Sequence, residues 1–310
     1  MSGDRRALAR AITLVESSRP DHRARAAALL DRILPATGRG IRVGITGTPG
    51  AGKSTFVEEL GSRLCADDHR VAVLAVDPSS RRSGGSILGD KTRMARLARH
   101  PHAFIRPSPA AGTLGGVARR TREALLLSEA GGFDVVLVET VGVGQSEVAV
   151  ADMVDCFVLL VAPGGGDELQ GIKRGIIELA DVVIVNKADG DLRQAAARAV
   201  ADYRHALHLL RPKVPGWEVP VLAVSSLHGD GIDNAWHQVQ AFQQHLKAID
   251  AQQRRRAEQA ATWMWDEIRD ELMTAVRGHP GIEGVEEEVR AGRLSPASAA
   301  RQLLESVGRD

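Results

Sequence analysis

Two cysteines, Cys65 and Cys156, are all the chain contains, too few for a disulfide framework and without the paired spacing of a zinc site. An excess of one charge is also missing: 40 Lys and Arg stand against 39 Asp and Glu, a formal net charge of +1. That balance removes the electrostatic reason to expect a nucleic-acid or membrane-surface protein, so neither partner is expected. Long apolar runs are absent. The longest, from Cys156 to Pro163, is about eight residues, far short of the roughly 20 needed to span a bilayer. The segment up to Pro20 has no continuous apolar core and places Glu16 inside its apolar stretch, so it does not read as a secretory signal and a cytoplasmic chain is expected. Internal repeats and low-complexity linkers are lacking too. What is there is an ordinary globular composition: 310 residues, 44% apolar, enough for one large α/β domain with flanking elements or for two modest domains.

The Ala- and Arg-rich segment 4–34 carries apolar residues at Leu8, Ala11, Ile12 and Val15, then at Leu29, Leu30, Ile33 and Leu34. These spacings predict two short amphipathic helices broken near Pro20. From residue 41 the pattern changes to short β-rich runs at 41–46, 71–76, 133–139, 156–161, 181–186 and 219–224. Nearly unbroken Val, Ile and Leu strings suit strands buried on both faces of a parallel sheet. Helix-length segments lie between most of them, which predicts an α/β fold with a doubly wound, mostly parallel sheet and right-handed crossovers. Past about residue 231 no further strand is expected. Ala257, Ala261, Trp265, Ile268, Leu272 and Val276 fall on one helical stripe, Gly278 to Gly281 breaks it, and Ser295 with Pro296 signals a final helix. This tail reads as a helical appendage that packs on the sheet domain or on a second subunit.

Gly47, Thr48, Pro49, Gly50, Ala51, Gly52, Lys53 and Ser54 fit G-x-x-x-x-G-K-[ST] without a mismatch, directly after the strand 41–46 and before a helix beginning near Lys53. Glycines are needed because the backbone must wrap a phosphate closely with successive N–H groups pointing inward. Lys53 would neutralise the β- and γ-phosphates, Ser54 would ligate Mg2+, and the helix N-terminus, where Thr55 follows, adds its positive dipole end. Asn186, Lys187, Ala188 and Asp189 follow another buried strand. A carboxylate there can accept from guanine N1–H and its exocyclic amine, whereas adenine presents the opposite pattern, so Asp189 would select against ATP; the Lys187 stem would pack across the base. Alone, such a polar turn is usually a helix N-cap; at a strand end after a phosphate loop it is specific. Ser225, Ser226 and Leu227, at the end of the last strand, are placed for their backbone N–H groups to meet guanine O6.

Glu139 ends the strand 133–139, where a metal-holding acid belongs, directly or through water. Asp is usual there, so the longer Glu alters the geometry. Asp77 ends the second strand before a Pro-Ser-Ser turn, and Asp90 lies in the Gly-rich loop 83–91; both are placed to approach the metal, with the loop as a first switch. A third glycine-rich loop, beginning at Pro163, carries Asp167, Gln170 and Lys173 beside a flexible hinge. Lys53, Asp90, Glu139, Asp167 and Lys173 are the candidate catalytic residues. His100 with His102, and His205 with His208, lack cysteine or carboxylate partners and read as surface residues.

The stretches GTPGAGKSTF, VDPSSRRSGGSILGDKTRM, VETVGVGQSE, PGGGDELQGIKRGI and VNKAD make the chain similar to the MeaB-type metallochaperone GTPases, also known as ArgK or methylmalonic-aciduria type A proteins. The resemblance covers essentially the whole chain. It implies a P-loop NTPase fold with an N-terminal helical extension (1–40), a P-loop GTPase domain (41–248) and a C-terminal helical dimerisation arm (249–310). It implies GTP or GDP and Mg2+ as cofactors, with Ser54, Asp77, Asp90 and Glu139 as the metal and switch set. Asp167, Gln170 and Lys173 match a third switch that reports partner binding. The implied partners are a second copy of the chain and an adenosylcobalamin-dependent acyl-CoA mutase, most often methylmalonyl-CoA mutase, whose cofactor delivery and repair the GTPase gates. The resemblance equally allows isobutyryl-, 2-hydroxyisobutyryl- or ethylmalonyl-CoA mutase as the client. Adenosylcobalamin enters only through the mutase, because the cobalamin-binding D-x-H-x-x-G run is absent here. The family more often has an Ala among the glycines at 164–166, so that hinge is expected to be looser.

The expected reaction is Mg2+-dependent attack of water on the γ-phosphorus, giving GDP and phosphate. No obvious water-positioning glutamine or built-in arginine finger is visible; Gln145 and Arg93 are weak candidates, so slow intrinsic turnover accelerated by the mutase is expected. A metal-insertion GTPase would share the phosphate and guanine motifs but usually adds a His-rich tract or Cys motif, neither of which is visible. A kinase acting on transport proteins is weakened by the guanine preference of Asp189. A scaffold with nucleotide as a structural ligand is the remaining class.

Overall fold

The computed structural model describes residues 4–17, 19–76, 94–107, 114–140, 146–164 and 174–307. The chain divides into two compact units, Met1–Ala257 and Glu258–Asp310. The first is built on a seven-stranded sheet of β1 (Ile41–Gly47), β2 (Val71–Val76), β3 (Ala103–Arg106), β4 (Val135–Thr140), β5 (Cys156–Val161), β6 (Val182–Val185) and β7 (Val221–Ala223), in the order β3-β2-β4-β1-β5-β6-β7. Every neighbouring pair is parallel. The Val/Ile strings of β2, β4, β5 and β6 are buried along their whole length, as helices on both faces require. The strand missing from the sequence reading is β3. It spans four residues, pairs only with β2 at the sheet edge, and is bracketed by His102 and Pro107, so it never presents the long apolar run of an interior strand.

Nine helices among the described residues accompany this sheet: α1 (Arg5–Val15), α2 (Pro20–Ile33), α3 (Lys53–Ala66), α4 (Ala95–Arg99), α5 (Leu114–Ala130), α6 (Ser146–Ala151), α7 (Arg174–Leu179), α8 (Arg193–His208) and α9 (Ile232–Ala248). One face of the sheet takes α3, α4 and α9, whose Phe56, Leu60, Leu64, Leu97, Val239 and Phe242 pack on Val43, Ile45, Val73, Leu137, Val158 and Ile184. On the other face β1 carries Gly44, where a Cβ would lie 2.8 Å from Val150 Cγ1; the missing side chain lets α6 lie directly against the strand. The N-terminal pair forms as the spacing predicts. Asp4 caps α1 by accepting from the amides of Arg6 and Ala7 at 2.8 and 3.1 Å, Pro20 opens α2, and α1 buries Leu8, Ala11, Ile12 and Val15 while packing on α5.

At the end of the sheet opposite the phosphate loop, buried charges are paired, as burial demands. Arg42 Nη2 meets Glu129 Oε2 at 2.8 Å, and Asp155 accepts from Arg256 Nη2 at 2.6 Å and from the Arg42 amide at 3.0 Å. Arg256 belongs to α10 (Ala251–Gly278), which runs on into the second unit; that unit also holds α11 (Ile282–Arg290) and α12 (Pro296–Val307). Within α10 the apolar stripe is exposed at Trp265, Ile268 and Leu272. The helix α11 carries little sequence signal, because its apolar residues are only Ile282, Val285 and Val289. No helix among the described residues is long and apolar enough to cross a membrane.

Candidate functional site

Three glycines of the loop that leaves β1 have positive φ, Gly47, Gly50 and Gly52, and at two of them a side chain would have no room. At Gly47 (φ 154°) a Cβ would sit 2.0 Å from the Leu160 carbonyl oxygen, so the backbone of β5 occupies the space of a side chain. At Gly52 (φ 89°) it would sit 2.5 Å from Asn186 Nδ2. Only glycine meets both demands at once. Residues 53–66 then form α3, so the amides of its first turn face the loop. The Lys53 ammonium is buried and donates to the carbonyls of Gly47 at 2.8 Å and Thr48 at 3.1 Å. Burial pushes its pKa down, while the carboxylates of Glu139 and Glu147 pull it back up.

Beside the lysine, Ser54 Oγ donates to Glu139 Oε1 at 2.8 Å. Glu139 sits on β4 and is buried, and the adjoining strands are tied by Thr140 Oγ1 donating to Thr46 Oγ1 at 2.9 Å. A hydroxyl and a carboxylate in contact at the end of a phosphate loop form the hard oxygen donor set that Mg2+ prefers. Glu147, in the first turn of α6, is 1% exposed and joins Glu139 as a second carboxylate acting on Lys53. No sequence motif assigns it a role. The available signal was its place in the Gly-Gln-Ser-Glu run after β4, but only the packing of α6 on β1 buries it there.

Across from the loop, Asn186 is 1% exposed at the end of β6. Its Nδ2 donates to Ala51 O at 2.8 Å, and its Oδ1 accepts from Ser226 N at 3.1 Å and Ser226 Oγ at 2.7 Å. One side chain thus links the phosphate loop, the β6 turn and the β7 turn. Lys187 follows with φ 59° and is exposed, a left-handed geometry of the kind that clusters at binding sites. Asp189 is half-buried, and its Oδ2 accepts from the Ser225 hydroxyl. Two backbone N–H groups in 225–227, the segment expected to meet guanine O6, are engaged within the protein. Ser225 N donates to Asp230 O at 2.9 Å and Ser226 N to Asn186 Oδ1, because the tight turn closes on itself. Leu227 is the exposed member of the triplet.

Asp77, Asp90, Arg93, Gln145, Asp167, Gln170 and Lys173 lie outside the described residues. His205 and His208 are exposed, and the His100 and His102 rings meet edge-on with centroids 5.5 Å apart. Among the described residues no group of three or more His, Cys, Asp or Glu side chains could hold a metal ion.

A family model described as "Methylmalonyl Co-A mutase-associated GTPase MeaB" matches residues 8–281. A protein of Caulobacter vibrioides named "Putative GTPase" is 57% identical over 312 residues, covering 99% of this chain and 95% of its own. The mouse (Mus musculus) protein named "Methylmalonic aciduria type A homolog, mitochondrial" is 50% identical, covering 99% of this chain and 77% of its own. A solved structure titled "Crystal structure of LAO/AO transport system kinase" superposes with a TM-score of 0.78 at 42% identity, over 99% of this chain and 94% of that one.

Proposed function

The chain belongs to the MeaB family of methylmalonyl-CoA mutase-associated GTPases, and from that premise we propose that it couples GTP hydrolysis to the service of an adenosylcobalamin-dependent acyl-CoA mutase, gating cofactor loading and protecting the enzyme. Methylmalonyl-CoA mutase or a close relative such as the isobutyryl- or 2-hydroxyisobutyryl-CoA enzyme is the client. Support for the mutase comes from the family's description and the mouse relative's name. The observation that carries the nucleotide part is the Asn186 bridge, which joins the phosphate loop and the Asn-Lys-x-Asp turn into one unit.

In this reading the loop 47–54 wraps the phosphates and Lys53, which holds the carbonyls of Gly47 and Thr48, turns its ammonium onto them. Ser54 and Glu139 would hold Mg2+, joined by Asp77 and Asp90; when bound, the ion offsets the charge on the phosphate oxygens. Asp189 accepts from the guanine edge, the Lys187 stem covers the ring, and the Leu227 amide faces O6. Asp167, Gln170 and Lys173 form the segment through which the client acts on hydrolysis, so turnover by the GTPase alone is slow. The exposed stripe of Trp265, Ile268 and Leu272 on α10 is the contact of a homodimer, read out by its mass in solution and the loss of that mass in Trp265→Glu.

The test is GTP turnover by the purified protein, alone and with candidate cobalamin mutases added in turn. Strong stimulation by one of them is expected. Unchanged turnover with every mutase, while GTP still binds, overturns the coupling. The kinase title of the 42%-identical structure motivates a second reading, in which label from γ-labelled GTP appears on a transport protein rather than as free phosphate.

A further inference from the structure

Arg63 lies on α3, outside every nucleotide motif, yet its guanidinium reaches the turn that holds the proposed base acceptor. Nη2 donates to the Gly229 carbonyl at 2.9 Å, Nη1 to Asp233 Oδ2 at 2.7 Å and Nε to Glu59 Oε1 at 3.0 Å. Gly229 closes the turn after β7: its N–H donates to Ser225 O at 2.8 Å, and Ser225 N–H donates to Asp230 O at 2.9 Å. The Ser225 hydroxyl accepts from the His228 amide at 3.2 Å and donates to the Asp189 carboxylate. Gly229 has φ 81°, and a Cβ there would lie 2.1 Å from Arg63 Nη2. The glycine marks where the guanidinium presses against the backbone of this turn.

We infer that Arg63 is a positioning residue for base selection: it clamps the 225–230 turn so that Ser225 holds the Asp189 carboxylate edge-on to a guanine. This rests on the reading of Asp189 as the guanine acceptor. A carboxylate meets both N1–H and the exocyclic amine only when its plane is fixed, and one contact is lost if it rotates. The planar fork of arginine suits the task because it satisfies a backbone carbonyl and two carboxylates in fixed directions, which a lysine cannot do. Glu59, which orients the fork, also accepts from Arg96 Nη2 at 2.5 Å on α4, so the clamp is itself braced.

The test compares binding of GDP with IDP, which lacks the exocyclic amine, by calorimetry on the full chain. The unmodified protein is expected to prefer GDP by roughly tenfold to a hundredfold, the worth of one hydrogen bond to a charged acceptor. Arg63→Ala is expected to shrink that ratio by about threefold or more, and Gly229→Ala, which displaces the guanidinium while keeping it, should do the same. Arg63→Lys should fall between. Variants that lose thermal stability but keep the full GDP/IDP ratio overturn the positioning role and leave Arg63 a structural brace. Equal binding of GDP and IDP by the unmodified protein overturns instead the reading of Asp189 on which the inference stands.

Discussion

Removing the Asn186 side chain tests the central joint of the proposed site. In Asn186→Ala, three groups lose their partner together: the Ala51 carbonyl, 2.8 Å from Nδ2, and the Ser226 amide and hydroxyl, 3.1 and 2.7 Å from Oδ1. Asn186 is 1% exposed and Ser226 4% exposed, so water reaches these groups poorly. A buried polar group left without a partner costs about 1–3 kcal/mol; with the Ser226 hydroxyl free to relax, the Ala51 carbonyl and the Ser226 amide together cost about 2–6 kcal/mol of folding stability. Losing the tie also frees the phosphate loop from the base turn, so GDP binding should weaken by roughly tenfold or more. Gly52→Ala drives a Cβ to 2.5 Å from Asn186 Nδ2 and should weaken binding in the same direction. Urea denaturation gives the first quantity and calorimetry the second. A stability loss below about 0.5 kcal/mol together with unchanged GDP affinity would refute the bridge as the element joining the two halves of the site, since it would equal a neutral surface change.

Gly44→Ala should destabilise the protein by about 1–3 kcal/mol in urea titrations, because the new Cβ meets Val150, Val154 and Phe157 at 2.8, 3.0 and 3.1 Å; a neutral result would mean that α6 is free to move off β1. Burial opposes ionisation of Glu59, but hydrogen bonds from Arg96 and Arg63 outweigh it and hold its pKa below the ordinary 4.5. The ionised form therefore supports folding above pH 4.5, and that support disappears as pH falls through the folded-state value. The stability gap between the unmodified protein and Glu59→Gln should narrow on acidification below pH 4.5; a gap of constant size from neutral to acid would contradict the ion-pair account. Burial pushes the Cys65 thiol up to about 11 and that of Cys156 well above its ordinary value, so at pH 8 about one Cys65 in a thousand is thiolate. Neither should react with iodoacetamide until denaturant is added, and rapid native alkylation would show that these cores open.

Much of the fold was legible because its determinants are local. The interior strands announce themselves by Val/Ile strings such as 71–76 and 156–161, since a strand covered on both faces has no room for polar residues. The phosphate loop was legible because backbone that wraps an anion needs glycine at set intervals. The Asn-Lys-Ala-Asp turn was legible as chemistry, a carboxylate set just past a strand end. The edge strand β3 was not, because four residues paired on one side only carry too little pattern to separate from a loop.

What the sequence by itself determined is six of the seven strands and where the phosphate loop turns, each a property of a few consecutive residues. The order β3-β2-β4-β1-β5-β6-β7 was decided only in three dimensions. So were the reach of Asn186 to Ala51, the burial of Glu147 beside Lys53, and the grip of Arg63 on Gly229. Those contacts join residues far apart in the chain, and their partners are chosen by how helices pack on the two faces of the sheet. No local spacing encodes that, because the same Asn, Glu or Arg in another packing would simply face water.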